Sequence, residues 1–252
     1  MAINNGRQLH FGVLVVANKY GLRLTKENYA IINNRPSFSP GLSCFDTVEF
    51  IETMDNKYVI DETKTIGNRH FVTKRHYTDS WCQQHYENCI KNFDMNMAFY
   101  ASLDKALFER KLQSFLKKHT GFKRVTDLKE YDSQSGYYLM VLDEYKQVYI
   151  GTSDNIKKRI QTHWRTQKEF DRLLFGTVEN SRLSIDSFRA LDTTRIYAYI
   201  TQNTYHREDK YIRFFPDAYV CNRIAGGNME LGTLEAYSTR KERTFQESSV
   251  VK

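Results

Sequence analysis

The sequence predicts an α+β protein of two parts, a mixed α/β N-terminal domain over residues 1–130 and a C-terminal domain over residues 131–228. Runs of alternating apolar residues bounded by polar turns occur in both halves and predict strands. Amphipathic helical patterns lie between them. Hydrophobic residues make up 40% of the 252 residues, which suffices for packed cores. The polar residues 229–252 predict a flexible tail.

The sequence of the N-terminal half predicts several strands and helices but no catalytic residues. These are strands over residues 8–17, 47–52 and 58–60, a helix over residues 81–93, and an amphipathic helix capped by Ser102 and ended by Gly121. Residues 121–135 end in the polar stretch Asp-Ser-Gln-Ser and predict a linker to the second domain.

The second domain opens with a predicted β-hairpin. Residues 136–142 and 147–151 are apolar runs, and the polar turn Asp-Glu-Tyr-Lys separates them. A helix follows, with Ser153 or Asp154 as its cap. The domain then predicts a second helix, a strand and a final helix.

Two of these elements carry functional candidates. Arg159 and His163 lie four residues apart on the helix after the hairpin, so they share one helix face. The third strand is predicted over residues 194–200 and the last helix over residues 204–214, which contains Glu208.

The tyrosines of the hairpin lie in two triplets, Gly136-Tyr137-Tyr138 and Tyr149-Ile150-Gly151. They resemble the two motifs that name the GIY-YIG nuclease family, with a mild departure in the first triplet. Arg159 lies ten residues past Tyr149, as the helix arginine of that family does.

Three further positions extend the resemblance. His163 follows Arg159 by four residues, where the family often has a histidine or tyrosine. Glu208 opens a stretch that resembles the family's glutamate helix, which ends near a proline. Asn222 follows fourteen positions later, and the family has an asparagine about a dozen or more residues after its glutamate. The resemblance covers residues 131–228 and leaves the N-terminal part outside it.

The resemblance implies a small three-stranded antiparallel sheet flanked by helices, and the hydrolysis of phosphodiester bonds in DNA. It implies one divalent cation, Mg²⁺ or Mn²⁺, and products with a 5′-phosphate and a 3′-hydroxyl. Since such domains rarely choose their target alone, residues 1–130 would supply substrate recognition or a partner contact.

The residue types fit this chemistry on physical grounds. A guanidinium never deprotonates and can donate two bonds to one phosphate, which suits Arg159. Mg²⁺ usually holds only one or two carboxylates, so Glu208 alone is an adequate metal ligand. Arg159 and a metal are expected to lower the pKa of a nearby phenol, so that Tyr138 or Tyr149 could take a proton from water. The sequence does not assign the two tyrosine roles.

The remaining two candidates have supporting roles. His163 could orient a tyrosine or a phosphate oxygen, and Asn222 is a neutral donor for backbone or phosphate.

The charge balance favours a polyanionic partner. The formal net charge is +7 and the isoelectric point is about 9.1. Both halves carry a small excess of cations, so a basic surface would have to arise from folding. We expect nucleic-acid contacts from Lys157, Lys158, Arg165 and Lys168.

No signal-peptide pattern is present at the N-terminus, and the apolar run after residue 10 is too short to span a bilayer. The four cysteines form no paired framework. A cytoplasmic protein without a membrane partner is expected.

Each candidate residue also has a plain structural interpretation. Tyrosines suit half-buried strands, and an arginine or glutamate is ordinary on a helix surface. Two alternatives to an enzyme therefore stay open. One is an inactive nucleic-acid-binding module, and the other is an interaction protein dominated by its N-terminal domain.

Overall fold

The computed structural model describes residues 6–33, 46–54, 56–202 and 207–222. The fold is mixed α and β with antiparallel sheets, as the sequence predicts. The strands are β1 (Arg7–His10), β2 (Val13–Val16), β3 (Tyr58–Ile66), β4 (Arg69–Tyr77), β5 (Lys123–Arg124), β6 (Gly136–Leu142), β7 (Gln147–Ser153) and β8 (Arg195–Ile200). The α-helices are α1 (Lys26–Tyr29), α2 (Val48–Glu52), α3 (Asp79–Ser102), α4 (Lys105–Lys118), α5 (Ile156–Arg165) and α6 (Glu208–Ile212). The tail at 229–252 lies outside the described residues.

Two strand predictions in the N-terminal half are wrong. Residues 8–17 form the hairpin β1–β2, because Phe11 and Gly12 both adopt positive φ angles (43° and 71°) and reverse the chain. Residues 47–52 are helical, because the Thr47 side chain accepts a hydrogen bond from the backbone N–H of Phe50 and starts α2. The partner of β3 is β4.

The two long helices predicted in the N-terminal half are confirmed, but they begin or end at other residues than predicted. The Thr78 side chain caps α3, which runs to Ser102 and exceeds the predicted span of 81–93. The carboxylate of Asp104, rather than Ser102, caps α4 by accepting from two backbone N–H groups.

The central sheet has four antiparallel strands in the order β5-β8-β6-β7. The predicted hairpin and the predicted strand at 194–200 are confirmed as β6, β7 and β8. The linker prediction is wrong, because β5 adds a short edge strand to the sheet. Its neighbours Phe122, Val125 and Leu128 are buried.

The remainder of the C-terminal half differs from the prediction in its helices. The predicted second helix is absent from the described chain between α5 and β8, where only three-residue 3₁₀ turns occur, at 170–172, 185–187 and 190–192. The last helix covers Glu208–Ile212, and residues 203–206 of the predicted span lie outside the described residues.

Alternate residues of β6 enter two different cores, since successive side chains of a strand point to opposite faces. Tyr138, Met140 and Leu142 pack in a cluster with α5. Tyr137, Leu139 and Val141 pack in a second cluster with α4 and α6. Helices α4 and α5 therefore cover opposite faces of the sheet.

Both cores include residues from either side of position 130, such as Tyr29 with Tyr138 and Phe115 with Tyr137. Whether residues 1–130 fold independently stays a prediction. None of the helices in the described ranges has the length and apolarity needed to cross a membrane.

Candidate active site

The two candidate tyrosines, Tyr138 and Tyr149, lie on the same face of the sheet. Tyr138 pairs with Gly151 across the β6–β7 ladder, and Tyr149 pairs with Met140. The ring centroids of Tyr138 and Tyr149 are 6.1 Å apart. A Cβ atom at position 151 would overlap the Tyr138 hydroxyl, so only glycine leaves room for that phenol.

Helix α5 brings its two predicted residues to the Tyr138 hydroxyl. The Asn155 side chain caps the helix by accepting from the Lys158 backbone N–H, so the cap lies one or two residues beyond the predicted ones. His163 Nε2 lies 2.9 Å from the Tyr138 hydroxyl. Arg159, one turn earlier, also forms a side-chain hydrogen bond with Tyr138.

The other nitrogen of His163 has a partner that the sequence did not indicate. His163 Nδ1 lies 2.8 Å from a carboxylate oxygen of Asp186, in the 3₁₀ turn at 185–187. Burial raises the pKa of Asp186, but the hydrogen bond with His163 and the charges of Lys168 and Arg159 outweigh it, and the pKa lies below its usual range. An ionised carboxylate only accepts, so in the neutral imidazole Nδ1 carries the proton and Nε2 accepts from Tyr138.

In the protein alone, the pKa values of both phenols lie above the ordinary value for tyrosine. Burial raises the pKa of Tyr138 well above its usual value, and Tyr149 adds to the effect. Burial also raises the pKa of Tyr149, and the charge of Glu208 adds to it. Arg159 acts in the opposite direction on both phenols but is outweighed. Both are therefore neutral hydrogen-bonding groups in the protein alone at pH 7.

The two phenols differ in their accessibility. Tyr138 is fully buried and its hydroxyl is committed to His163 and Arg159. Tyr149 is partly exposed, and its hydroxyl makes no hydrogen bond within the described ranges. Tyr149 is thus the phenol that a substrate or a water molecule can reach.

Glu208 is the first residue of α6 and faces this group of side chains. Burial raises the pKa of its carboxyl to about 7, and Asp209 adds to the rise, whereas the charge of Arg159 lowers it. It has no hydrogen bond or ion pair with any residue that the structure describes. The neighbouring Asp209 pairs instead with Arg213 at 2.7 Å. Of the two adjacent acids, Glu208 is therefore the one directed to the site.

A divalent cation fits the carboxylate of Glu208. The carboxyl group is partly buried, so its ionised form is disfavoured. Among the described residues, no lysine or arginine forms an ion pair with it. A metal ion would favour the ionised form. No cluster of three or more His, Cys, Asp or Glu side chains in metal-binding positions occurs in the described ranges.

Asn222 supports the site through the backbone. Its side-chain N–H donates to the Ile150 carbonyl at 2.7 Å, and its side-chain oxygen accepts from the Ile150 N–H at 3.1 Å. Both ends of the amide are thus used to hold β7 beside Tyr149. One of the two side-chain N–H groups of Asn222 is used in this way, so a phosphate contact would have to use the other.

The predicted nucleic-acid contacts divide into two groups. Lys158 and Arg165 are exposed on α5, on the side next to Arg159. Lys157 forms an ion pair with Asp132 at 2.6 Å, and Lys168 is partly buried with its charge acting on Asp186. The first two are better placed to meet a phosphate backbone than the second two.

Comparisons with protein-family models, curated proteins and solved structures return no match to this chain. The functional argument therefore depends on the motif spacing and on the geometry of Tyr138, Tyr149, Arg159, His163 and Glu208.

Proposed function

We propose that this chain is a metal-dependent endonuclease of the GIY-YIG type that hydrolyses phosphodiester bonds in DNA. One observation carries the proposal. A guanidinium, two phenols, an imidazole and a carboxylate with a raised pKa come together from β6, β7, α5 and α6, which are separated by up to 70 residues in the chain. The spacing that resembles the family also predicts that these residues meet.

Arg159 is the group that would bind the scissile phosphate. Its side chain is more than one-third exposed, so part of the guanidinium faces solvent while another part is hydrogen-bonded to Tyr138. An arginine can share its donors in this way because it has five N–H groups. Fixed by Tyr138, Arg159 would meet the developing negative charge on phosphate with little loss of side-chain freedom.

Tyr149 would position the attacking water, because its hydroxyl faces the site without a protein partner. The reaction joins the water oxygen to phosphorus and breaks the bond from phosphorus to the 3′-oxygen. One proton of the water ends on that 3′-oxygen. A divalent cation held by Glu208 would supply a bound water of lowered pKa and offset charge on the phosphate.

Tyr138, His163 and Asp186 would act as the support of this site. The imidazole is held by hydrogen bonds at both nitrogens, and the phenol is held by His163 and Arg159. The orientation of Arg159 therefore depends on three side chains that do not touch the substrate. This arrangement is typical of sites in which supporting residues fix the groups that react.

A second candidate function is an inactive module that binds nucleic acid. The raised pKa values of both phenols favour it, because neither phenol is a strong base in the protein alone. It predicts DNA binding without cleavage in Mg²⁺ or Mn²⁺.

Plasmid cleavage distinguishes the two functions. Supercoiled DNA is incubated with the protein and Mg²⁺ or Mn²⁺, and with the variants Arg159→Ala and Glu208→Ala. Asp209→Ala is the matched control, because that acid is adjacent in sequence but paired with Arg213. We expect cleavage by the wild type and the control and its loss in the other two variants. Binding without cleavage under either metal would support the inactive module.

A further inference from the structure

A segment of 20 residues holds most of the net charge of the chain. Residues 105–124 contain seven lysines or arginines and one acid, Glu109, for a net charge of +6. The net charge of the whole chain is +7. The seven cations are Lys105, Arg110, Lys111, Lys117, Lys118, Lys123 and Arg124. They belong to α4 and to the edge strand β5. We call these seven residues the α4–β5 basic surface.

These cations are available to a partner. Six of the seven are exposed and Lys111 is partly exposed. None of them forms an ion pair with a residue in the described ranges. The one acid in the segment, Glu109, is already bound by the guanidinium of Arg195 at 2.9 Å. Lys118 has a different contact, with its Nζ 5.6 Å from the centroid of the Phe214 ring.

The packing of α4 explains why four of its cations lie on the side away from the sheet. Phe108, Leu112 and Phe115 are buried against the sheet and fix the orientation of the helix. Arg110 and Lys117 are seven residues apart, so they lie on the same side about two turns from each other. Lys111 and Lys118 repeat this spacing beside them.

The strand β5 extends the surface beyond the helix. Among the described residues it pairs with β8 alone and forms one edge of the sheet, with Lys123 and Arg124 both exposed. Arg124 pairs with Tyr197 on the α4 side of the sheet, whereas Lys123 pairs with Ala198 and points to the other side of this edge. Lys118 at the end of α4 and Lys123 of β5 are separated by only four residues, which include His119 and Gly121.

Two lysines act on a neighbouring histidine. Burial is the largest cause of the lowered pKa of His119 at the end of α4, and the charges of Lys118 and Lys210 lower it further. Like charges at this density repel each other and do not stabilise the fold, so the surface needs another explanation.

Two kinds of polyanion could neutralise such a surface, an anionic membrane and a nucleic acid. A helix that lies on a membrane inserts an apolar face between the lipids. The apolar face of α4 is buried against the sheet, which leaves only its charged side for a partner. This favours a phosphate backbone, which is bound by lysine and arginine without insertion.

We propose that the α4–β5 basic surface binds the backbone of a DNA duplex, without sequence preference. Because α4 and α5 cover opposite faces of the sheet, this surface is distinct from the exposed residues of α5 beside Arg159. It provides a second DNA contact that does not include the cleavage site. The binding does not depend on the proposed hydrolysis and is measured without it.

The test measures DNA binding by the full chain in EDTA, where metal-dependent cleavage does not proceed. Fluorescence anisotropy of a labelled duplex gives Kd over a range of salt concentrations. The surface variant carries Lys117→Gln, Lys118→Gln, Lys123→Gln and Arg124→Gln. The control variant carries Lys26→Gln, Lys64→Gln, Lys74→Gln and Lys91→Gln, which remove the same charge elsewhere. Thermal unfolding checks that both variants are folded.

If all four cations contact phosphates, the slope of log K against log salt falls by about 3 to 4 in the surface variant, at ~0.9 for each contact. The control variant should keep the wild-type slope to within about 1. Equal losses in both variants would overturn the proposal, since net charge alone would then explain binding. An unchanged slope in the surface variant would also overturn it.

A vesicle arm tests the competing partner. Vesicles with and without phosphatidylserine are added to the wild type and the surface variant. Tight binding to anionic vesicles, lost in the surface variant while DNA binding is unchanged, would assign the surface to membranes and overturn the proposal. Failure of the nuclease proposal gives a different result, which is DNA binding with the expected slopes but no cleavage when Mg²⁺ or Mn²⁺ is added.

Discussion

The Tyr138 hydroxyl lies 2.9 Å from His163 Nε2, and the same hydroxyl is hydrogen-bonded by Arg159. The phenol is fully buried, so it joins two residues of α5 to the sheet and is not open to solvent. Tyr149, the other motif tyrosine, has the reverse properties. The site therefore combines one buried, hydrogen-bonded phenol with one partly exposed phenol, and substitutions at the two positions should have different effects.

The substitution Tyr138→Phe should affect both stability and cleavage. It leaves the buried Nε2 of His163 without a donor, which we expect to lower the free energy of unfolding by about 1–3 kcal/mol. It also frees Arg159 to move. Urea unfolding measures the first effect, and cleavage under single-turnover conditions measures the second.

The matched substitution Tyr149→Phe should affect cleavage alone. No hydrogen bond to a described residue is lost, so the free energy of unfolding should change by no more than about 0.5 kcal/mol. The cleavage rate should fall by about 10-fold or more, because the attacking water loses its hydrogen-bonding partner. The reverse pattern, with Tyr149→Phe destabilised and Tyr138→Phe inactive but stable, would contradict the division of roles.

Asp186 should determine which nitrogen of His163 carries the proton. In the wild type we expect the Nδ1–H form, which ¹⁵N NMR of the imidazole identifies directly. Asp186→Ala should give a mixture of the two forms and lower the free energy of unfolding by about 1–3 kcal/mol. Asp186→Asn keeps an oxygen acceptor and should retain the Nδ1–H form with a smaller loss. An Nε2–H form in the wild-type protein would show that Tyr138 is the acceptor in this pair.

Glu208 should make the stability depend on pH and on metal ions. Its pKa is about 7 in the folded protein against an ordinary value of 4.5. The folded state therefore holds a proton that the unfolded state has already lost, and stability falls as the pH rises from about 4.5 to 7. Glu208→Gln removes this loss, so it should stabilise the protein at pH 8 by about 1–3 kcal/mol and have little effect at pH 4.

Mg²⁺ should reverse the order of the two proteins at pH 8. Binding to the folded wild type at 100 times its Kd adds about 2.7 kcal/mol of stability. Glu208→Gln should gain almost none of it. Thermal unfolding with and without Mg²⁺ measures both effects, and Asp209→Asn serves as the control. An equal rise in Tm for wild type and Glu208→Gln would remove Glu208 from the metal site.

Gly151 should tolerate no larger side chain while Tyr138 is present. A Cβ atom there overlaps the hydroxyl and the ring carbon that carries it. Gly151→Ala is expected to lower the free energy of unfolding by about 1–3 kcal/mol. Adding Tyr138→Phe removes the hydroxyl, so the double variant should lose less than the sum of the two single variants. Strict additivity in denaturant unfolding would contradict the contact.

The parts of the fold that could be predicted are those with local signals. The hairpin from Gly136 to Ser153 alternates around a polar turn, and its strands are confirmed. The helix with Arg159 and His163 follows at once, so their common face was predictable from spacing. The wrong predictions concern segments in which a specific hydrogen bond outweighs the local sequence pattern. Thr47 caps a helix in a segment that alternates like a strand.

Other features depend on contacts between distant segments. Asp186 meets His163 across 23 residues, in an irregular stretch without a motif, so no sequence pattern indicated it. The pKa values of the phenols depend on burial, which spacing does not give. The α4–β5 basic surface is different, because its charges are close in sequence. The net charges of the two halves of the chain do not reveal it, because each half has only a small excess of cations.

The most direct test of the central claim is a double-mutant cycle on DNA cleavage. Single-turnover rates in Mg²⁺ are measured for the wild type, Arg159→Ala, Glu208→Gln and the double variant. If both residues belong to one hydrolytic site, the double variant should be no slower than the slower single variant, because the first loss already removes the joint effect. Wild-type rates in all three variants, or no cleavage by the wild type, would contradict the claim that this site hydrolyses DNA.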